Sequence, residues 1–95
     1  MIRVSVTYPS SDTSTFDHDY YAATHVPMCV SAWSPAKTEI DKGVNGPNVA
    51  AVHFTFDTME AFQAAMGSPR TGDVMADVPN YTNITPVMQI SEIVG

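Results

Sequence analysis

The chain is poor in cations: four lysines and arginines (Arg3, Lys37, Lys42 and Arg70) stand against ten acidic residues, a formal net charge of −6. A surface of that sign repels nucleic acid and anionic membrane over long range, so neither is expected as a partner. The same scarcity, without a GxGxxG or GxxxxGK[ST] pattern, leaves little to hold nucleotide phosphates, and no cofactor is expected. Gly43-Val44-Asn45-Gly46 has the wrong spacing for a phosphate loop and reads as a turn. Cys29 is the only cysteine, which excludes an intrachain disulfide and points to a reducing compartment, the cytoplasm. No run approaches the roughly 20 apolar residues of a membrane span, and the N-terminal residues lack a signal peptide's apolar block. Without a secretory route, the sequons at Asn80 and Asn83 read as chance matches. His18, His25 and His53 show no metal-ligand spacing and no evident thiol or carboxylate set, so no metal is expected.

What is present suits one domain, residues 1–95, with 44% apolar residues to bury as a core. Residues 2 to 8 alternate apolar and polar side chains, the signature of a strand with two unlike faces, ended by Pro9. Ser14-x-x-Asp17 fits a capping box, which starts a helix near residues 15–17. Second and third strands are predicted over 36–44 and 49–56, with Gly46-Pro47-Asn48 as the turn between them. Asp57 or Thr58 caps a second helix carrying Met59, Phe62, Ala65 and Met66 at three- and four-residue spacing. Ser68-Pro69 opens a short helical turn towards Met75, and residues 84–93 make the last strand, with Pro86 at an edge or bulge.

The order β-α-β-β-α-β is that of a ferredoxin-like α+β fold: a four-stranded antiparallel sheet with its helices on one face. If Val4, Val6, Val52, Phe54 and Phe56 face the helices, then Ser5, Thr7, Ala51, His53, Thr55 and Gln89 face the other way. These side chains are small and mostly uncharged, unlike a solvated face rich in Lys and Glu. Two such faces are therefore expected to pair in a homodimer and to enclose a polar-lined cavity that includes His53.

One stretch, FDHDYYAATHVPM (16–28), carries most of the chemistry. Asp17, Tyr21, His25 and Met28 follow at spacings that share one helical face, while Phe16, Tyr20, Ala23 and Val30 form the adjoining stripe. Tyr20 is accordingly expected in the core and Tyr21 beside His25. Pro27 has no N–H for the carbonyl of Ala23 and should kink or interrupt the helix just past His25. A histidine so placed either bonds a backbone carbonyl or Asp77 in the interior, or acts as acid, base or donor near neutral pH. Asp17 reads as a cap, Cys29 as an inert thiol, and Trp33 as helix core or cavity wall.

The run Phe16-Asp17-x-x-Tyr20-Tyr21-x-x-x-His25-x-Pro27-Met28, followed by Lys42-Gly43-Val44 and by Ala76-Asp77-Val78-Pro79-Asn80-Tyr81-Thr82 ahead of Pro86 and Gln89, resembles the EthD family, named for ethyl tert-butyl ether degradation. The resemblance covers nearly the whole chain. It implies a dimeric α/β barrel in which two ferredoxin-like sheets pack face to face. It also implies an oxidoreductase-type or acid/base enzyme of ether or aromatic catabolism, acting on a small hydrophobic organic molecule. The alternative is a non-catalytic carrier that serves a partner enzyme. On this reading His25 and Tyr21 are the catalytic candidates, and Tyr20, Trp33, His53, Asp77, Asn80 and Tyr81 are the substrate-binding ones.

Overall fold

The computed structural model describes all 95 residues. Its sheet has the strand order β2-β3-β1-β4, from β1 (Ile2–Pro9), β2 (Lys37–Lys42), β3 (Asn48–Phe56) and β4 (Val87–Glu92), all antiparallel. The helical segments are α1 (His18–Tyr20), a π-helical stretch Tyr21–His25, α2 (Val26–Trp33), α3 (Met59–Met66) and α4 (Thr71–Asp77), with a 3-10 turn Val78–Asn80. This is the ferredoxin-like α+β arrangement read from the sequence. No helix is long and apolar enough to cross a membrane.

The alternation in β1 fixes the register. Val4 lies opposite Phe54 and Ile90, and Val6 opposite Val52 and Met88, so these rows face the helices. Ile2, Val4, Tyr8, Ala50, Val52, Phe54 and Phe56 are buried there with Val26, Cys29, Trp33, Phe62, Ala65, Val74 and Tyr81. The intervening rows present Ser5, His53, Glu39 and Gln89, then Thr7, Ala51, Asp41 and Val87, to the open face. Thr55 belongs to that face too, yet it is buried, with Arg3 opposite it.

Several boundaries differ from the sequence reading, each for a local reason. Asp17, not Ser14, caps the first helix by accepting from the Tyr20 N–H. The Ser14 hydroxyl instead closes a turn with Ser11. β4 begins at Val87 because Pro86, which has no N–H to give the ladder, precedes it. Pro27 acts upstream of where a simple kink was expected. The Val26 N–H reaches back five residues to the carbonyl of Tyr21, and the helix widens into a π turn over Tyr21–His25. Gly43 follows β2, where its N–H bonds the carbonyl of Val49. A Cβ there would collide with the carbonyl oxygen of Asn48, so the hairpin closes only on glycine.

Candidate functional site

The π turn places Tyr21 and His25 on the inner side of the helix, their rings stacked at 5.6 Å and 16°. Both are buried. Across from them, the loop before α1 is zipped to the loop after α4. The Asp17 N–H donates to the Tyr81 carbonyl at 2.8 Å, Phe16 bridges Thr82, and the Asn83 side chain bonds the backbone of Thr13 and Thr15. This seam holds Tyr81 against His25, ring centroids 4.4 Å apart.

A continuous hydrogen-bond chain results. Asp77 Oδ2 lies 2.9 Å from His25 Nδ1, His25 Nε2 is 3.2 Å from the Tyr81 hydroxyl, and that hydroxyl is 2.7 Å from the hydroxyl of Tyr8. The other carboxylate oxygen of Asp77 accepts from the Tyr20 hydroxyl at 2.7 Å and from Asn80 Nδ2 at 2.8 Å. Burial would raise the Asp77 carboxyl, but the donations from Asn80, Tyr20 and His25 outweigh it and hold its pKa below the ordinary value. Burial lowers the pKa of His25, against the pull of Asp77. The imidazole is therefore neutral at neutral pH, with Nδ1–H donated to Asp77 and the Nε2 lone pair facing Tyr81.

The direction of the chain follows by elimination. An ionised carboxylate only accepts, so His25 donates to it; Nε2 then only accepts, so Tyr81 donates; the Tyr81 oxygen is left to accept from Tyr8. Protons can thus pass from Tyr8 towards His25. The phenols of Tyr8, Tyr21 and Tyr81 are all pushed up by burial and hold their protons, and burial pushes the Cys29 thiol up to about 12.

Beside this chain lies a cavity of about 140 Å³ between helices and sheet, walled by Tyr8, Tyr21, His25, Trp33 and Phe54 and rimmed by Met75 and Met88. Both rim methionines are exposed. Trp33 is at once core and wall: its edge meets Phe54, and its Nε1 donates to the Thr71 hydroxyl at 2.9 Å. The Tyr21 hydroxyl, in a residue 1% exposed, is enclosed against the Tyr8 phenol.

The predicted site residues therefore divide. His25 and Tyr21 line the cavity with Trp33, whereas Asp77, Tyr20, Asn80 and Tyr81 stand behind its wall as the support of His25. Tyr20 is half-buried, with its hydroxyl spent on Asp77, rather than a core residue. His53 belongs elsewhere. On the open face of the sheet, its Nδ1 lies 2.8 Å from the Ser5 hydroxyl and its Nε2 3.0 Å from Asp41. The apolar cavity that the chain itself forms is on the helix side, opposite the polar one expected over the open face. Sequence reasoning missed Tyr8. Its signal was available: a tyrosine on the core-facing register of β1 must find a partner for its hydroxyl.

An antiparallel ferredoxin-like sheet with a histidine-centred hydrogen-bond chain beside an apolar cavity defines the class, a small α+β protein of the enzyme-like or ligand-binding kind. No family model and no curated protein matches the chain. Among solved structures it is similar to an EthD-like protein from Ralstonia eutropha JMP134, with 38% identity and a TM-score of 0.89 over 99% of this chain and 92% of that one. It is also similar to an ethyl tert-butyl ether degradation (EthD) family protein from Bacillus halodurans C-125, at 16% identity and a TM-score of 0.78 over 99% of both chains. A dimeric protein of ferredoxin-like fold from Bacteroides fragilis NCTC 9343 shares the fold at 11% identity and a TM-score of 0.61, over 97% of this chain and 95% of that one. The chain belongs to the EthD family.

Proposed function

We propose that this chain is a small cytoplasmic enzyme, one domain over residues 1–95, that performs acid/base chemistry on a hydrophobic, oxygen-bearing organic molecule held in the helix-side cavity. The observation that carries this reading is the oriented chain Asp77–His25–Tyr81–Tyr8, which connects a neutral imidazole to the wall of that cavity. The chain ends at Tyr8, one of the residues that wall the cavity. The setting implied by the family, catabolism of ethers or aromatic compounds, agrees with a cavity lined mostly by apolar groups.

The test is turnover against a panel of phenols, hydroquinones and lactones, read by mass spectrometry alongside thermal shift. A ligand at about 100 times its Kd stabilises by roughly 2.7 kcal/mol and raises the midpoint by several degrees. With a turned-over ligand, His25→Ala is expected to lower kcat by about 10²–10⁴. Tight binding without turnover, unchanged by His25→Ala, would establish a carrier instead.

The enzyme is further proposed to act as a homodimer with the open faces of its sheets paired. The support is the row Ser5, His53 and Gln89, where His53 is already bonded to Ser5 and Asp41 within the chain. Light scattering is expected to return twice the 10.3 kDa chain mass, and Ser5→Lys to shift it to one. A wild-type monomer at micromolar concentration would sink the proposal.

A further inference from the structure

The polar groups on the wall of the helix-side cavity are already engaged. Asp77 and Tyr81 occupy both nitrogens of His25, the Tyr8 hydroxyl is turned to that of Tyr81, and Trp33 Nε1 donates to Thr71. The Tyr21 hydroxyl is enclosed against the Tyr8 phenol, and the Cys29 thiol, pushed up to about 12, stays protonated and is only a weak donor. What the wall turns to the space is therefore almost all carbon. A ligand hydroxyl carried inside would leave its water partners and find no replacement, whereas a hydrocarbon surface loses nothing by entering. Volume sets the next bound: an apolar cavity of about 150 Å³ stays dry and takes up benzene, so about 140 Å³ is room for one six-membered ring and little more. The rings of Phe54 and Trp33 on the wall favour an aromatic one.

The way out is marked by the two wall residues that reach water. Met75 on α4 and Met88 on β4 are 55% and 48% exposed. β4 is an edge strand, and Ile90 follows Met88 on the same face, opposite Val4 as Met88 is opposite Val6, with 46% of its surface exposed. An apolar strip thus runs from the mouth outwards. A substituent leaving the ring between the two thioethers passes over this strip and ends in solvent.

We infer, resting on the reading of the cavity as a ligand site, that it takes the unsubstituted ring of a phenylalkyl compound, ring first, with the alkyl arm over Met88 and the polar group of the arm outside the mouth. Any oxygen the ligand carries then stands on the arm and not on the ring. Phenols are disfavoured, because their hydroxyl enters with the ring. Met88 becomes a specificity-determining residue, since the end of the arm passes beside it.

The experiment is calorimetric titration of the full chain with toluene, phenol, 3-phenylpropan-1-ol and 3-phenylpropanoate, as wild type and as Met88→Lys. Wild type is expected to bind toluene and 3-phenylpropan-1-ol at least about fivefold more tightly than phenol. In Met88→Lys, the affinity for 3-phenylpropanoate relative to 3-phenylpropan-1-ol should rise by about two- to fivefold, the range of an exposed ion pair, because the carboxylate ends beside the new ammonium. Phenol binding as tightly as toluene overturns the bare-ring assignment while the cavity stands as a ligand site. A ratio that Met88→Lys leaves unchanged overturns the ring-first orientation. If none of the four binds to wild type, the reading of the cavity falls and this inference falls with it.

Discussion

Asp77→Ala is expected to lose about 3 kcal/mol of stability, a drop of roughly 12–24 °C in melting midpoint for a domain of this size. The carboxylate is the common acceptor for Tyr20, His25 and Asn80, in a residue only 8% exposed, and alanine leaves three donors facing one another. Asp77→Asn separates folding from chemistry. Asparagine keeps an oxygen for Tyr20 and Asn80 but turns an NH₂ towards Nδ1, which forces the other imidazole tautomer. Nε2–H then points at Tyr81, the chain reverses, and the proton acceptor is lost. We expect the Asn variant to retain most of the stability and to lose about 10²–10⁴ in kcat. Asp77 is thus a positioning residue, and pH supplies the readout that a merely structural role would not move. His25 has a lowered pKa in the folded state, so falling pH removes stability from the ordinary imidazole value of 6.5 downwards, as the unfolded chain takes up a proton the native state refuses. Asp77 is lowered as well, so its contribution is complete above the ordinary carboxylate value of 3.8 and disappears as pH falls through its folded value. Wild type should therefore lose stability in two acid steps and Asp77→Asn in one. Two unchanged steps in the variant would mean that the carboxylate does not govern the lower one.

The elements that the sequence specified best are those in which side-chain period and backbone chemistry agree. Alternation through Ile2–Pro9 determined which face of β1 meets the helices, and the register follows from it. Pro27 announced an irregularity just past His25, because a missing N–H can be read from the residue name alone. What replaced the missing bond was not readable. The π turn depends on the Tyr21 carbonyl finding the Val26 N–H within a packed environment. That His25 meets Asp77 and not a backbone carbonyl was left open, because the contact spans 52 residues of sequence. His53 lies apart from the helix-side cavity for a geometric reason. Period 2 placed it on the open face of the sheet, and the cavity formed within one chain lies on the helix side. Tyr8 was overlooked because it sits in a regular strand. Its role depends on Tyr81, more than seventy residues away in sequence, and no local pattern carries that contact.

Phe54→Ala should be among the most damaging single changes to the core, at about 3–5 kcal/mol. Phe54 lies in β3, which is hydrogen-bonded on both sides, between Thr38 and Val4, and is 1% exposed. The Trp33 ring meets it edge-on at 5.4 Å and 85°, so truncation loses an aromatic pair along with the buried area. A domain of 95 residues has roughly 5–14 kcal/mol in total, and the variant should be partly unfolded at 37 °C if wild type lies at the lower end. The position also tests how the cavity is built, because Phe54 forms one of its walls. If β3 and α2 hold their places when the ring is removed, the cavity grows by about a ring's volume and a bicyclic aromatic gains access to it. Such a ligand should then restore several degrees of midpoint to Phe54→Ala while leaving wild type unmoved. A loss below about 1 kcal/mol would mean that Trp33 and Met75 collapse into the space, and the ligand should then rescue nothing. A large loss with selective rescue makes the sheet a rigid floor, with ligand size set by one side chain on β3.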